Sequence, residues 1–597
     1  MDEKQLWLQA EALERQIALL PAGSITKKKV NGREYFYHRW TEEKKRREKY
    51  IPADELSDFQ KKIEKRKVLE RELKEIRRQL PQKKTSDKTM FKTHILKGSR
   101  LRKFADSVRD YRKRECFLTL HDYIYGEPQD KVLILYGLRR TGKTTMIRQI
   151  FAEMNDEELS QAAFIQTTAK DTLADVNHDL KILESQGVRY VFLDEVTLME
   201  DFIEGAAIFS DIFADCGMKI VLSGTDSLGF LFTEDEQLYD RCILLHTTFI
   251  PYREFTRVLG VQGIDEYIRY GGTMSLSGIH YNQTSPFADK EHADEYVDTA
   301  IARNIQHSLQ CYQYGDHFRL LRELYEKKEL TSAINRVVED INHRFTLEVL
   351  TRDFKSHDLG ISANNLRRDR ENSTDILDRI DLAGVTKSLR QLLEIRNREE
   401  QTVNLREAHA AEIKEYLELL DLTKDVDVLH FPHVNETSKR TVITQPGLRY
   451  AQADALIRSL LLDETFASLS LVERNAVQKR ILTEIKGRML EDLVLLETKL
   501  ADPHKQVFVL QFPIGEFDMV VADPETASCR IFEIKHSKEA VPQQYRHLID
   551  EEKCAQTEHR YGTITGKFVL YRGEDQVING IQYRNVEEYL LHNASFS

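Results

Sequence analysis

The chain has 597 residues, room for about four domains at roughly 150 residues each, so it is not a single small binding module. Hydrophobic residues make up 41% and charged residues 31%, with a net charge of −11, which excludes wholesale disorder, a collagen-like repeat and a uniformly basic nucleic-acid coat. The six cysteines form no C-x-x-C pair, there is no basic and apolar leader after Met1, and no apolar run is long enough to span a membrane; the expected setting is a reducing cytoplasm.

Residues 1–88 read as an arm. Leu6, Leu8, Leu13, Ile17 and Leu20 suggest a short amphipathic helix. Asn31-Gly32 is the turn of a hairpin whose second strand carries Tyr35, Tyr37 and Trp40 among Lys27, Lys28, Lys29, Arg33 and Arg39. Such a hairpin can track a phosphate backbone with its aromatics stacking on bases, or be a solvated face packed on the next helix. Lys44 to Arg47 is a charge run. From Leu56 to Leu80, apolar residues mostly recur at three- and four-residue steps, which suits a coiled-coil seam.

Residues 89–275 alternate strands and helices, the pattern of an open parallel sheet. The apolar run Val132–Tyr136 leads into Gly137, Leu138, Arg139, Arg140, Thr141, Gly142, Lys143 and Thr144, followed by Thr145 and a helix. This is G-x-x-x-x-G-K-[ST] between strand and helix, a loop whose backbone N–H groups cradle phosphates. Lys143 is expected to reach the β- and γ-phosphates and Thr144 to ligate Mg²⁺. Tyr190–Leu193 runs into Asp194-Glu195, where Asp194 would hold Mg²⁺ through its water shell and Glu195 would act as general base on the attacking water. A further strand, Lys219–Leu222, ends in Ser223-Gly-Thr225; either hydroxyl can sense the γ-phosphate or serve a local turn. Arg241 can reach the γ-phosphate in cis or from a neighbouring subunit of a homo-oligomer, or form a surface ion pair. No N-K-x-D motif is present, so ATP is preferred over GTP.

These motifs, together with Tyr239-Asp-Arg241, Pro251-Tyr-Arg-Glu-Phe255 and Tyr267-Ile-Arg-Tyr-Gly271-Gly272, resemble the bacterial and archaeal AAA-type ATPases that continue into a winged helix and a C-terminal nuclease-like domain. The resemblance runs from about residue 90 to the end. Family members show Gly-Arg where this chain has Asp240-Arg241, and Gly-Gly-x-Pro where it has Gly271-Gly-Thr-Met274.

Residues 276–435 are helical and charged. Phe345–Leu350 is expected to start a helix, Gly360–Arg368 resembles a helix-turn-helix entry, His409–Leu420 the later helix and Asp425–Phe431 a wing strand. Glu412, Glu415 and Glu418 would repel phosphate, which favours a structural adaptor over a DNA reader.

In residues 436–597, Glu491 lies on a helix, Asp518 on a strand, and Glu533 and Lys535 on one face of the next strand. Carboxylates in this arrangement can hold Mg²⁺ or Mn²⁺, and a lysine can orient a water. The order and spacing are those of PD-(D/E)xK phosphodiesterases, so the resemblance assigns Glu491, Asp518 and Glu533 to metal binding and Asp518, Glu533 and Lys535 to catalysis. Gln543 or Gln544 would assist from a following helix.

The expected protein is a multidomain α/β ATPase: a P-loop parallel sheet, a helical and winged-helix middle, and a PD-(D/E)xK-like end acting on nucleic acid, DNA in preference to RNA. A defence or mobile-element role is the family analogy. The rival expectation is an ATP-switched signalling protein with a silent nuclease-like domain and a protein partner on residues 1–88.

Overall fold

The computed structural model describes residues 13, 20, 21, 23–30, 33–42, 45–51, 56–79, 91–127, 130–199, 201–202, 206–225, 240–247, 249–274, 285–311, 318–352, 381–399, 405–432 and 437–592. They fall into two compact units, Met1–Phe91 and Lys92–Ser597. Leu6, Leu8, Ile17, the Asn31-Gly32 turn, Tyr239 and the Gly360–Arg368 segment lie outside the described residues.

The first unit contains a three-stranded antiparallel sheet in the order β1 (Ser24–Val30), β2 (Arg33–Glu42), β3 (Lys45–Ile51). Val30 pairs with Arg33 and Glu42 with Lys45, so both connections are two residues long. The third strand is a correction: the charge run at Lys45–Arg47 is the start of a strand. Its high lysine and arginine content hid an extended segment whose last residue, Ile51, is buried. Helix α1 (Leu56–Gln79) follows, with Ile63 and Leu69 buried.

The second unit contains two sheets. The first has six strands in the order β4 (His94–Lys97), β6 (Ala162–Gln166), β7 (Tyr190–Asp194), β8 (Lys219–Gly224), β5 (Val132–Tyr136), β9 (Cys242–His246). All neighbours are parallel except the β4–β6 pair. Every residue of β5 and β8 is buried, as expected of central strands in a parallel sheet. Helices α2 (Lys143–Glu153) and α3 (Leu173–Ser185) follow β5 and β6; α3 starts on a capping box in which Thr172 and Asp175 satisfy each other's backbone N–H. Strand β8 separates the P-loop strand β5 from the acidic strand β7.

The chain continues through α4 (Tyr252–Leu259), α5 (Ile264–Tyr270), α6 (Lys290–Tyr296), α7 (Arg303–Cys311), α8 (Leu330–Arg352), α9 (Leu382–Glu399) and α10 (Glu407–Leu419). Phe345–Leu350 does not start a helix; it lies in the last turns of α8, whose 23 residues begin at Leu330.

The second sheet has eight strands in the order β11 (Thr437–Ile443), β10 (Thr423–His430), β12 (Gln506–Gln511), β13 (Glu516–Asp523), β14 (Ser528–Ile534), β15 (Thr563–Tyr571), β17 (Ile581–Asn585), β16 (Gln576–Ile578). Helices α11 (Pro446–Leu460), α12 (Leu471–Ala501), α13 (Glu551–Tyr561) and α14 (Val586–Leu591) accompany it. The strand expected as a wing is therefore placed differently: β10 pairs antiparallel with β11 and parallel with β12, inside this sheet. The boundary expected at 435/436 falls between the two strands of one hairpin. Alternating Val426 and Val428 suit any half-buried strand, and the sequence does not say which sheet receives it.

One apolar core joins the helices after the first sheet to the second sheet and its helices. Tyr252, Phe255 and Tyr267 from α4 and α5 pack in the same cluster as Ile485, Val494 and Leu495 of α12, Phe532 of β14 and Leu590 of α14. Among the described residues, no helix is long and apolar enough to cross a membrane.

Candidate functional site

The loop after β5 begins the first site. Gly142 has φ of +94°, a left-handed conformation that glycine adopts without Cβ strain, and α2 starts at Lys143. The Lys143 ammonium is buried and donates to the carbonyls of Gly137 (2.8 Å) and Leu138 (2.9 Å). Burial pulls its pKa down to about 8, against the opposing pull of Glu195 and Asp194. Thr144 Oγ1 donates to Asp194 Oδ2 at 2.9 Å, which joins the loop to the end of β7. Asp194 Oδ1 accepts the Glu195 N–H at 3.2 Å. Glu195 itself has φ of +57°, and Thr225 Oγ1 donates to its Oε2 at 3.2 Å. Burial, then the Asp194 charge, raises the Glu195 pKa.

Ser223, fully buried at the end of β8, has no hydrogen-bond partner for its hydroxyl among the described residues. It pairs with Leu135, one residue before the end of β5. An unsatisfied buried hydroxyl costs free energy, on the order of 1–3 kcal/mol, so a polar ligand at this strand end would be favoured. The loop conformation, the Thr144–Asp194 pair and the Ser223 hydroxyl all fit a nucleotide triphosphate with Mg²⁺.

Other loop residues have structural contacts. Thr141 is fully buried, and its hydroxyl meets the Leu138 carbonyl and Thr247 Oγ1, both at 2.9 Å. Arg139 and Arg140 are exposed, and Thr145 lies half-buried in the first turn of α2. The Met274 N–H donates to the Arg140 carbonyl at 2.7 Å, and the Gly447 N–H to the Gly271 carbonyl at 3.1 Å. Gly272 has φ of +113°, and a Cβ there would sit 2.6 Å from Gln445, so the double glycine lets two backbones meet beside the loop.

Arg241 forms the surface ion pair that was one of its expected roles. It precedes β9, its carbonyl accepts from the Val132 N–H at the start of β5, and its guanidinium lies 3.3 Å from Asp211. The P-loop leaves the opposite end of β5, roughly 13 Å away at about 3.3 Å per residue. Within one chain, Arg241 is therefore at the wrong edge of the sheet to serve the phosphates.

The sequence reading missed Arg114. It is 7% exposed and donates to the carbonyls of Thr141 (2.9 Å), Thr247 (2.8 Å) and Phe249 (2.9 Å) and to Glu254 Oε2 at 2.6 Å. It ties the loop to the chain after β9. A lone arginine before a helix carries no motif signal, so only the fold could reveal it.

The second site sits where α12, β13 and β14 meet. Met519 pairs with Phe532, which brings Asp518 alongside Glu533. Lys535 Nζ lies 2.8 Å from Asp518 Oδ2 and 2.7 Å from Glu533 Oε2. Asp518 also accepts the Ile534 N–H at 2.8 Å. Burial favours the neutral form of Asp518, but Lys535 and the Ile534 N–H outweigh it and its pKa falls. Glu533 moves strongly upward, from burial and then from the Asp518 charge. Burial alone would lower Lys535, yet Asp518 and Glu533 hold it well above its ordinary value.

One carboxylate oxygen from each of Glu491, Glu516 and Asp518 lies within 4.8 Å of the others, a set of hard oxygen donors suited to a divalent cation. Burial, then Asp518, raises Glu491 to about 7. The expected metal set was Glu491, Asp518 and Glu533; Glu516, absent from it, is the third carboxylate that converges with Glu491 and Asp518, while Lys535 lies against both Asp518 and Glu533. The signal for Glu516 was legible, because residues two apart on a strand share a face and Glu516 precedes Asp518 by two.

The expectation for Gln543 or Gln544 changes too. They lie in a short 3₁₀ turn, Pro542–Tyr545. Gln543 is exposed. Gln544 donates to Ser537 Oγ (2.7 Å) and the Glu539 carbonyl (2.9 Å) and accepts from the Val541 N–H (3.1 Å). Holding this loop uses its polar atoms.

Residues 129–256 match the family model of an AAA domain, and residues 3–61 match that of a domain of unknown function, DUF6788. The solved structure of the Aeropyrum pernix ORC1 protein in complex with DNA is similar at 13% identity and a TM-score of 0.22, over 63% of this chain and 99% of that one. A search of the curated proteins finds no match. The chain carries a P-loop domain of AAA type, with the mixed, mainly parallel sheet of that fold.

Proposed function

We propose that this chain binds and hydrolyses ATP and couples that cycle to a nuclease-like domain acting on nucleic acid. The observation that carries the reading is that one folded unit holds two charged centres of the right chemistry: Lys143 with Thr144, Asp194 and Glu195, and Lys535 with Asp518, Glu533, Glu491 and Glu516.

ATP bound at the loop would supply the phosphoryl group, and Mg²⁺ would supply the charge that neutralises it. Lys143 has two loop carbonyls as acceptors, which it can exchange for phosphate oxygens. Thr144 and Asp194 would hold the metal. Glu195, with its raised pKa, would take the proton of the attacking water at Oε1 or Oε2. Ser223 and Thr225 would report the terminal phosphate. At the second centre, Glu491, Glu516 and Asp518 would hold Mg²⁺ or Mn²⁺, and Lys535 would orient a water and steady charge on a phosphodiester. Residues 1–88 would serve as an arm for nucleic acid or a protein partner.

The test is cleavage of plasmid, linear DNA, single-stranded DNA and RNA in Mg²⁺ or Mn²⁺, with and without ATP, by the wild type and by Asp518→Ala and Lys535→Ala. Cutting that both substitutions abolish is the expected result. ATP turnover without cutting of any substrate would overturn the nuclease part.

A further inference from the structure

A cavity of about 630 Å³ opens beside the second centre. Its walls come from α8, α10, the β10–β11 hairpin, α12 and the facing ends of β12 and β13. Five cationic side chains line it, Arg344, Lys414, Lys439, Arg440 and Arg488, against three carboxylates. One of those carboxylates is Glu516, which also belongs to the converging oxygen set with Glu491 and Asp518. A second, Asp492, is already compensated, by Arg449 at 2.8 Å and Arg440 at 3.5 Å. Burial, then the charge of Arg488, lowers the Arg440 pKa. Arg488 pairs with Glu491 at 2.6 Å, Arg344 with Asp340 at 3.0 Å and Lys439 with Asp425 at 3.7 Å, but none of these three carboxylates lines the cavity, so its wall keeps more cations than carboxylates and a polyanion entering it would meet net positive charge.

We propose that this cavity receives a single-stranded phosphodiester chain and leads one of its phosphates to the Glu491–Glu516–Asp518 centre. The inference rests on the nuclease-like reading of that centre and deepens it by naming the substrate form. The volume is that of a small-ligand pocket, enough for about one or two nucleotides and too small for a duplex. Arg344 and Lys439 stand at the mouth, with side chains 67% and 66% exposed. Arg440 and Arg488, with side chains 13% and 8% exposed, lie deeper. The positive charge therefore runs from the solvent inward and meets carboxylates at Glu516.

The test is fluorescence anisotropy on the full chain in EDTA, where metal-dependent cutting stops. The probes are labelled twelve-nucleotide oligo-dT and oligo-rU and a labelled duplex of equal length, with AMP as competitor. The variant is Arg344→Glu with Lys439→Glu; both side chains are exposed, and a thermal melt checks folding. Single strands are expected to bind more tightly than the duplex. The double substitution is expected to weaken them about tenfold and to flatten the log–log salt slope by about 0.7 for each lost phosphate contact. Oligo-dT and oligo-rU then distinguish DNA from RNA as the source of the strand. Unchanged affinity in the variant, a duplex that binds as tightly, or AMP that competes as well as an oligonucleotide would each overturn the proposal. Cutting in Mn²⁺ that Asp518→Ala abolishes, with oligonucleotide binding indifferent to Arg344 and Lys439, would leave the nuclease reading standing and remove the cavity. Binding that depends on those two cations without cutting would do the reverse.

Discussion

His536, the residue after Lys535, lies with Nε2 3.0 Å from Asp265 Oδ1 on α5. Asp265 also pairs with Arg572 at 2.8 Å and Lys486 at 3.2 Å. Burial would raise its carboxyl pKa, but the hydrogen bond from His536 and the charges of Lys486 and Arg572 hold it well below the usual carboxylate range. A helix shortly after the AAA-type segment thus grips the chain next to Lys535. Asp265→Asn would leave two fixed cations and a histidine side by side. It is expected to cost about 2 kcal/mol of stability and, under the proposed function, to remove any dependence of cutting on ATP. Calorimetry and the cleavage assay check both; an ATP response unaltered in the variant would argue that coupling runs elsewhere.

Lys143→Ala is expected to reduce ATP turnover at least about a hundredfold, because a buried positive charge facing the phosphates is lost. Glu195→Gln should still bind ATP but turn over about 10²- to 10³-fold more slowly. The Glu195 pKa is raised, and a base works only when ionised, so wild-type turnover should climb as pH rises through that raised value. A flat pH profile in steady-state ATPase assays would remove Glu195 from the role of base.

Arg114→Ala should cost about 3–5 kcal/mol, since it strips a buried cation from Glu254 and leaves the carbonyls of Thr141, Thr247 and Phe249 without their donor. Weaker nucleotide binding should accompany the loss, because Thr141 belongs to the loop. A variant that melts like the wild type would contradict this.

Glu516→Gln is expected to weaken Mn²⁺ binding about tenfold by removing one of three converging carboxylates. Isothermal titration of Mn²⁺ reads this directly. An unaltered affinity would return the third ligand to Glu533.

Glu497 on α12 is 1% exposed, accepts the Tyr252 N–H at 2.8 Å and has its pKa raised by burial to about 7. Its folded pKa exceeds the unfolded value of 4.5, so the folded state holds its proton more tightly. The contribution is complete below about pH 4.5 and is lost as pH rises toward 7. Glu497→Gln keeps an acceptor for Tyr252 and carries no charge. Its melting temperature should exceed that of the wild type at pH 8 and match it near pH 5. A difference independent of pH would show that Glu497 is not the titrating group.

By itself the sequence determined the P-loop, the Asp194-Glu195 strand end, a strand ending at Ser223, and the strands that carry Asp518, Glu533 and Lys535. Each of these is written in local spacing: a strand, a turn that needs glycine, a helix start, or alternation along one strand. The tertiary structure decided what depends on pairing between distant segments. It placed Arg241 at the far end of the sheet, because parallel pairing with β5 sets that edge. It put Thr423–His430 into the C-terminal sheet, since a half-buried alternating strand fits more than one partner. It brought Glu516 to Glu491 and gathered five cations around one cavity, since these convergences come from the packing of helices on a sheet. It also gave α4, α5, α12 and α14 a common core, a matter of which apolar faces meet; hydrophobic periodicity marks the faces and leaves their partners open.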